Sequence, residues 1–198
     1  MAKQPWEVPD IPQCGDASQD DTFRAVGAAL SQWELFEGNL SLAFSYFVGT
    51  GYGNIAALRA YGSVETFRGR ANMIETAAEV YFKHTPDPQL QVLLKEILKQ
   101  SRQFSSRRNE VAHGIVSPFV GRDEADEWIN LGFVLYPAYY ATRKRQLPAS
   151  IPLEPLEFTF SYSSVEIYKF RDHFDKLAAD VVALLTGLAR HSMTRHSS

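Results

Sequence analysis

The spacing of large side chains over residues 26–47 constrains the fold more than any other feature. Val26, Leu30, Trp33, Glu37, Leu40, Phe44 and Phe47 follow one another at alternating steps of four and three. That alternation sets them on one face of an α-helix, and such a face must be buried against other elements. Asp20 or Asp21 is placed to cap its start. Gly49-Thr50-Gly51-Tyr52-Gly53 breaks it.

The same period returns three more times. A second helix is predicted from about Ser63, with Val64, Phe67, Ala71, Ile74 and Tyr81 as its stripe. Thr85-Pro86-Asp87-Pro88 ends it and opens the next, since Asp87 can cap and Pro88 suits a first helical position. In the third helix Leu90, Leu94, Ile97, Ser101, Phe104, Arg108 and Val111 share a face, and Gly114 is a stop. Ser163-Ser164-Val165-Glu166 has the form of a capping box. It opens a last helix with Ile167, Phe170, Phe174, Leu177, Val181, Leu184 and Leu188 inward.

Between the third and last helices the period changes to two. Residues 115–120, 129–140 and 156–162 read as strands, the third by strict alternation of Leu156, Phe158, Phe160 and Tyr162 with polar residues. The expected fold is mainly α: an up-and-down helical bundle of about four long helices, with a small antiparallel β insert between helices three and four. A chain of 198 residues with 45% apolar side chains fits one domain. The expected organisation is an extended N-terminal arm over 1–20, which holds Pro5, Pro9 and Pro12, then one helical domain over 21–190. The insert covers about 115–162, and a flexible tail follows from 191 to 198.

Charge and cysteine usage narrow the function classes. A net charge of -3 supplies no field for non-specific nucleic-acid binding, so such a partner needs a local basic patch. The single cysteine, Cys14, excludes an internal disulfide framework and a Cys-rich zinc site. His84, His113, His173, His191 and His196 show no metal-ligand spacing, so neither metal nor cofactor is expected. Residues 1–10 carry one lysine and no apolar run, so no signal peptide is expected. No stretch is long enough to span a bilayer. A cytoplasmic protein without a membrane partner is the expectation.

Two charges lie on apolar faces: Glu37 on the first helix and Arg108 on the third. A buried lone charge costs roughly several kcal/mol, so each needs a partner. The simplest solution pairs them across the bundle, carboxylate on guanidinium. Such a pair can serve only to fix helix register. It can also hold Arg108 so that its remaining donors face a cleft.

Arg108 opens the segment Arg108-Asn109-Glu110-Val111-Ala112-His113-Gly114, which resembles the signature of HEPN domains: an Arg, a polar residue and then a His. The first helix, with Ala28-Ala29-Leu30-Ser31-Gln32-Trp33 leading to Glu37 and Leu40, is similar to the opening helix of many such proteins. The resemblance covers roughly residues 20–114 by motif and the last helix by architecture. The insert at 115–162 lies outside it.

The resemblance implies a helical bundle that forms a homodimer and, in active members, metal-independent RNA cleavage through attack of the 2′-hydroxyl on the adjacent phosphate. Carried onto this sequence, Arg108 would bind the scissile phosphate and stabilise the transition-state charge. His113 would be the general base or acid. Asn109 would orient the phosphate or the His. Glu37, placed by helical spacing more than by the motif, would support Arg108, and Arg107, outside the motif, can touch the phosphates as a substrate contact. RNA carries its own nucleophile, so an imidazole and a guanidinium suffice. Residues five apart on an ideal helix point about 140° from each other. Either the helix unwinds at Ala112, or the site combines groups from two chains.

Each of these residues also has a plainer role open to it. His113 can simply hydrogen-bond carbonyls at a helix end. Arg102 and Arg107 can be solvated. Arg143-Lys144-Arg145 can be a solvated loop or an RNA contact. Tyr136, Tyr139 and Tyr140 can pack a sheet or stack bases. The expected function is a metal-independent endoribonuclease of a toxin or defence system, with an antitoxin or regulatory protein as a further partner. The alternatives are a non-catalytic HEPN-like module that binds RNA, a nucleotide or a protein, and a structural helical dimer.

Overall fold

A computed structural model of the protein describes residues 3–138 and 159–195. Among them run α1 (Gln19–Phe47), α2 (Ile55–Gly62), α3 (Phe67–His84), α4 (Pro88–His113), β1 (Gly114–Arg122), β2 (Trp128–Pro137) and α5 (Ser164–Arg195). The fold is mainly α, with a small antiparallel sheet inserted before the last helix, as the change of period predicts.

Caps set most of the boundaries. Asp87 Oδ1 accepts from the N–H groups of Gln89 and Leu90, both at 3.0 Å, and Pro88 takes the first position of α4. Glu166 accepts from Ser163 N at 2.9 Å, and Ser163 Oγ accepts from Val165 N at 3.2 Å, so the predicted capping box opens α5. At α1 the cap is Ser18, whose Oγ accepts from Asp20 N at 3.2 Å. Asp20 and Asp21 sit in the first turn instead. Ser63 ends a helix rather than starting one. It closes α2, a short element capped by Asn54 that the periodicity does not reveal, and Thr66 then caps α3.

The chain divides into two compact units. The bundle unit comprises residues 31–106 and 172–198. Its centre is Trp33, fully buried, with the rings of Phe36, Phe67 and Phe174 edge-on at 5.2, 5.0 and 5.0 Å. Phe44 meets Tyr61 of α2, Phe47 meets Phe82 of α3, and Phe104 of α4 packs on Phe174 of α5. These contacts join the stripe residues Trp33, Phe44, Phe47, Phe67, Phe104 and Phe174 to Phe36, Tyr61 and Phe82, which the stripes omit. Phe82 is buried where Tyr81 is expected, and Tyr81 is half-buried. Gly187 of α5 faces the Leu90 side chain of α4: a Cβ there would lie 2.5 Å from Leu90 Cδ2, the movable end of that side chain.

The sheet unit comprises residues 1–30 and 107–171. Strands β1 and β2 pair antiparallel from Gly114↔Pro137 to Arg122↔Trp128, with an irregularity between Pro118 and Val120. The end of the N-terminal arm joins this sheet. Asp16 exchanges backbone hydrogen bonds with Phe133, both at 2.8 Å, and its carboxylate accepts from Thr22 Oγ1, Ser164 N and Ser164 Oγ at 2.6, 2.8 and 2.6 Å. One short side chain thus anchors the arm, the start of α1 and the start of α5.

Of the predicted third strand, residues 156–158 lie outside the described residues. Tyr162 remains as a single bridge to Leu135. The second strand ends at Pro137. Tyr139, Tyr140 and the basic run Arg143-Lys144-Arg145 also lie outside. Among the described residues, no helix is long and apolar enough to cross a membrane.

Candidate functional site at the end of α4

Helix α4 continues without a break through His113, and β1 begins at the next residue. Gly114 sits at this abrupt exchange. A Cβ there would lie 2.6 Å from Leu135 Cγ, so a larger residue would have to displace that buried side chain where the chain turns from helix into sheet. The position of the stop is the one predicted. Its cause is close packing rather than a left-handed backbone.

The core takes a different arginine from the one expected. After Phe104, steps of three then four lead to Arg107 and Val111, while steps of four then three lead to Arg108 and Val111. Both sequences of steps satisfy a helical stripe. The structure uses the first: Arg107 is 8% exposed, whereas Arg108 is half-buried. Arg107, expected in solvent or on phosphate, is therefore a core residue. Its Nη1 donates to the Tyr162 hydroxyl at 3.2 Å and its Nη2 to Glu110 Oε1 at 2.8 Å. Tyr162 in turn donates to Glu110 Oε2 at 2.5 Å, closing a triangle. Burial pushes the Glu110 carboxyl above the usual carboxylate range, against the opposing pull of Tyr162 and Arg107. Burial and the nearby carboxylate both push the Tyr162 hydroxyl up.

Glu37 is buried, as its place in the stripe requires, but its partners are not the expected one. Its Oε1 accepts from Trp33 Nε1 at 2.6 Å, and its Oε2 is paired with Arg70 Nη1 of α3. Arg70 is held from its other side by the Val64 carbonyl, at 2.8 Å from Nε. The rule that a buried carboxylate needs a cation holds, but Arg70 supplies that cation and Arg108 does not. The sequence carried one signal for Arg70: it lies next to the inward Ala71, within reach of a neighbouring helix.

Arg108 and Asn109 are brought together. Arg108 Nη1 donates to Asn109 Oδ1 at 3.1 Å. Asn109 and His113 are exposed, on the last two turns of the same helix. The α4 terminus therefore offers a braced guanidinium, an amide and an open imidazole. A guanidinium presents paired donors that match phosphate oxygens, and an imidazole can carry a proton either way near neutral pH. Tyr136, the described member of the tyrosine group, is buried near Phe119, ring centroids 6.4 Å apart, so it packs the sheet. Among the described residues, no cluster of three or more His, Cys, Asp or Glu side chains could hold a metal ion.

Comparison with family models, with curated proteins and with solved structures finds no match to this chain.

Proposed function

We propose that this chain is a HEPN-like endoribonuclease that works as a homodimer without a metal. The observation that carries the reading is the division of labour between two adjacent arginines. Arg107 is consumed by the core, while Arg108 stands beside Asn109 with His113 open one to two turns on. In the proposed reaction the 2′-oxygen of RNA attacks the adjacent phosphorus and loses its proton. The bond to the 5′-oxygen breaks, that oxygen gains a proton, and a 2′,3′-cyclic phosphate remains. His113 moves one of these protons. Arg108 stabilises the charge that builds on the phosphoryl oxygens. Asn109 holds the guanidinium plane.

The unbroken helix through His113 favours a site shared between two chains. Arg108 and His113 of one protomer diverge by about 140° around the axis, so a two-fold axis is needed to bring the Arg of one protomer to the His of its partner. Within this reading the protein is cytoplasmic, and an antitoxin or other regulatory protein restrains it. The test is incubation with structured and unstructured RNA in EDTA. Cyclic-phosphate ends, lost in both Arg108→Ala and His113→Ala, are expected. Wild-type protein that leaves RNA intact overturns the reading.

A second reading, a module that binds a protein rather than cleaving RNA, draws on the hairpin. Trp128 and Val120 are 59% and 52% exposed there, and Arg122 lies over the Trp128 ring at 4.4 Å. Binding of a partner that Trp128→Ala abolishes, without any RNA cleavage, favours this second reading.

A further inference from the structure

The bundle unit holds a polar pocket that its packing does not use. Phe67, Arg68, Asn72, Arg102 and Ser105 line it, and it encloses about 390 Å³. We propose that this pocket binds a small phosphomonoester, gripped by Arg68 and Arg102.

Charge balance is the first reason. Two arginines line one cavity. Arg102 Nη2 donates to Asn72 Oδ1 at 3.1 Å and to Glu75 Oε2 at 2.5 Å, so one cation has its counter-charge. Arg68 is exposed, and among the described residues it has neither a hydrogen bond nor an ion pair. The pocket keeps one positive charge in excess, and its two planar forks suit an anion with several oxygens. A phosphomonoester carries close to two negative charges at neutral pH, more than a carboxylate or a phosphodiester.

Donor geometry and size complete the case. Asn72 accepts from Arg102 through Oδ1, which leaves its amide nitrogen to donate. Phe67 supplies the apolar wall: its ring packs edge-on against Trp33 at 5.0 Å and stays half-buried. A ligand with an anionic head and an apolar body therefore fits. The volume sits near the lower end of small-molecule sites, roughly 300–1,000 Å³, which points to a small ester rather than to a polymer. The site stands or falls independently of RNA cleavage at the α4 terminus.

Calorimetric titration of the full chain with phenyl phosphate tests this, with phenol and inorganic phosphate alongside. Phenyl phosphate is expected to bind, inorganic phosphate to compete with it, and phenol to give no heat. Arg68→Ala is expected to weaken phenyl phosphate by about tenfold or more. This side chain has no partner to lose, so the variant keeps the fold. Arg102→Gln is the second variant, expected to weaken binding likewise. No binding at millimolar phenyl phosphate overturns the proposal. So does equal binding of phenol, or an affinity that neither variant changes.

Discussion

Tyr162 donates its hydroxyl hydrogen to Glu110 at 2.5 Å, so the chain just before α5 is tied to the last turn of α4. The contact is one side of a triangle with Arg107, which donates to both partners. Tyr162 itself is fully buried, stacked on Phe160 at 4.8 Å and edge-on to Phe170 at 5.2 Å. Tyr162→Phe keeps the ring and removes the hydroxyl. It leaves a carboxylate oxygen and a guanidinium N–H short of a partner, at an expected cost of about 1–3 kcal/mol. A lower urea midpoint with an unchanged slope would show it, and an unchanged midpoint would contradict it.

Glu110 makes a second prediction, in pH. Its folded-state pKa is raised above the ordinary 4.5, chiefly by burial. The folded state therefore holds this proton more tightly than the unfolded chain. The stability it contributes is complete below the unfolded value and is lost as pH rises through the folded one. Glu110→Gln deletes that titration. Between pH 4.5 and pH 7 the variant is expected to lose less stability, or gain more, than the wild type. Parallel pH profiles in urea melts would count against the raised pKa.

Tyr61 offers the opposite case. Its ring is 4% exposed, and among the described residues its hydroxyl has no hydrogen-bond partner. Burial, with Glu37 close by, pushes that hydroxyl up, so it stays neutral. Removing a buried polar atom that bonds to nothing relieves its desolvation cost. Tyr61→Phe is expected to leave stability unchanged or to raise it by up to about 1 kcal/mol, read from thermal melts. A loss on the scale of Tyr162→Phe would mean that the hydroxyl has a partner after all.

The Glu37–Arg70 pair should couple strongly, because the carboxylate is 4% exposed and the guanidinium 22%. Removing either partner strands the other. Glu37→Gln and Arg70→Met are each expected to cost about 1–4 kcal/mol, with the double variant costing clearly less than their sum. Additive losses in the cycle would show that the pair is only adjacent.

These residues mark where the sequence was legible. Apolar periodicity found the long helices because burying Trp33, Phe44, Phe104 and Phe174 leaves a helix few other ways to face. It could not choose between Arg107 and Arg108. Steps of three and four are equally helical, and the choice rests on Tyr162, more than fifty residues away in sequence. The partner of Glu37 was misread for the same reason, since periodicity assigns a face to a charge but not a neighbour. Helix α2 escaped notice because its eight residues bury only Ala57 and Tyr61, too few for a period to emerge. Asp16 was hidden in a proline-bearing arm, where its role depends on Phe133 and Ser164 from distant parts of the chain. At the α4 terminus the motif itself was plain. Its geometry was legible only to the extent that an ideal helix separates Arg108 from His113.

That separation makes the sharpest prediction. If each site takes Arg108 from one protomer and His113 from its partner, Arg108→Ala and His113→Ala are both inactive alone but complement each other when mixed. In a mixed dimer one site inherits both lesions and the other inherits none. Random exchange makes half of the dimers mixed, and half of their sites intact, so about a quarter of wild-type RNA cleavage should return. The two variants must be unfolded and refolded together, or co-expressed, so that subunits exchange. Native mass spectrometry of tagged chains confirms that mixed dimers have formed. No recovery despite mixed dimers would place Arg108 and His113 of one site on a single chain, which requires α4 to unwind before His113. Recovery close to a quarter ties the chemistry to the two-fold axis.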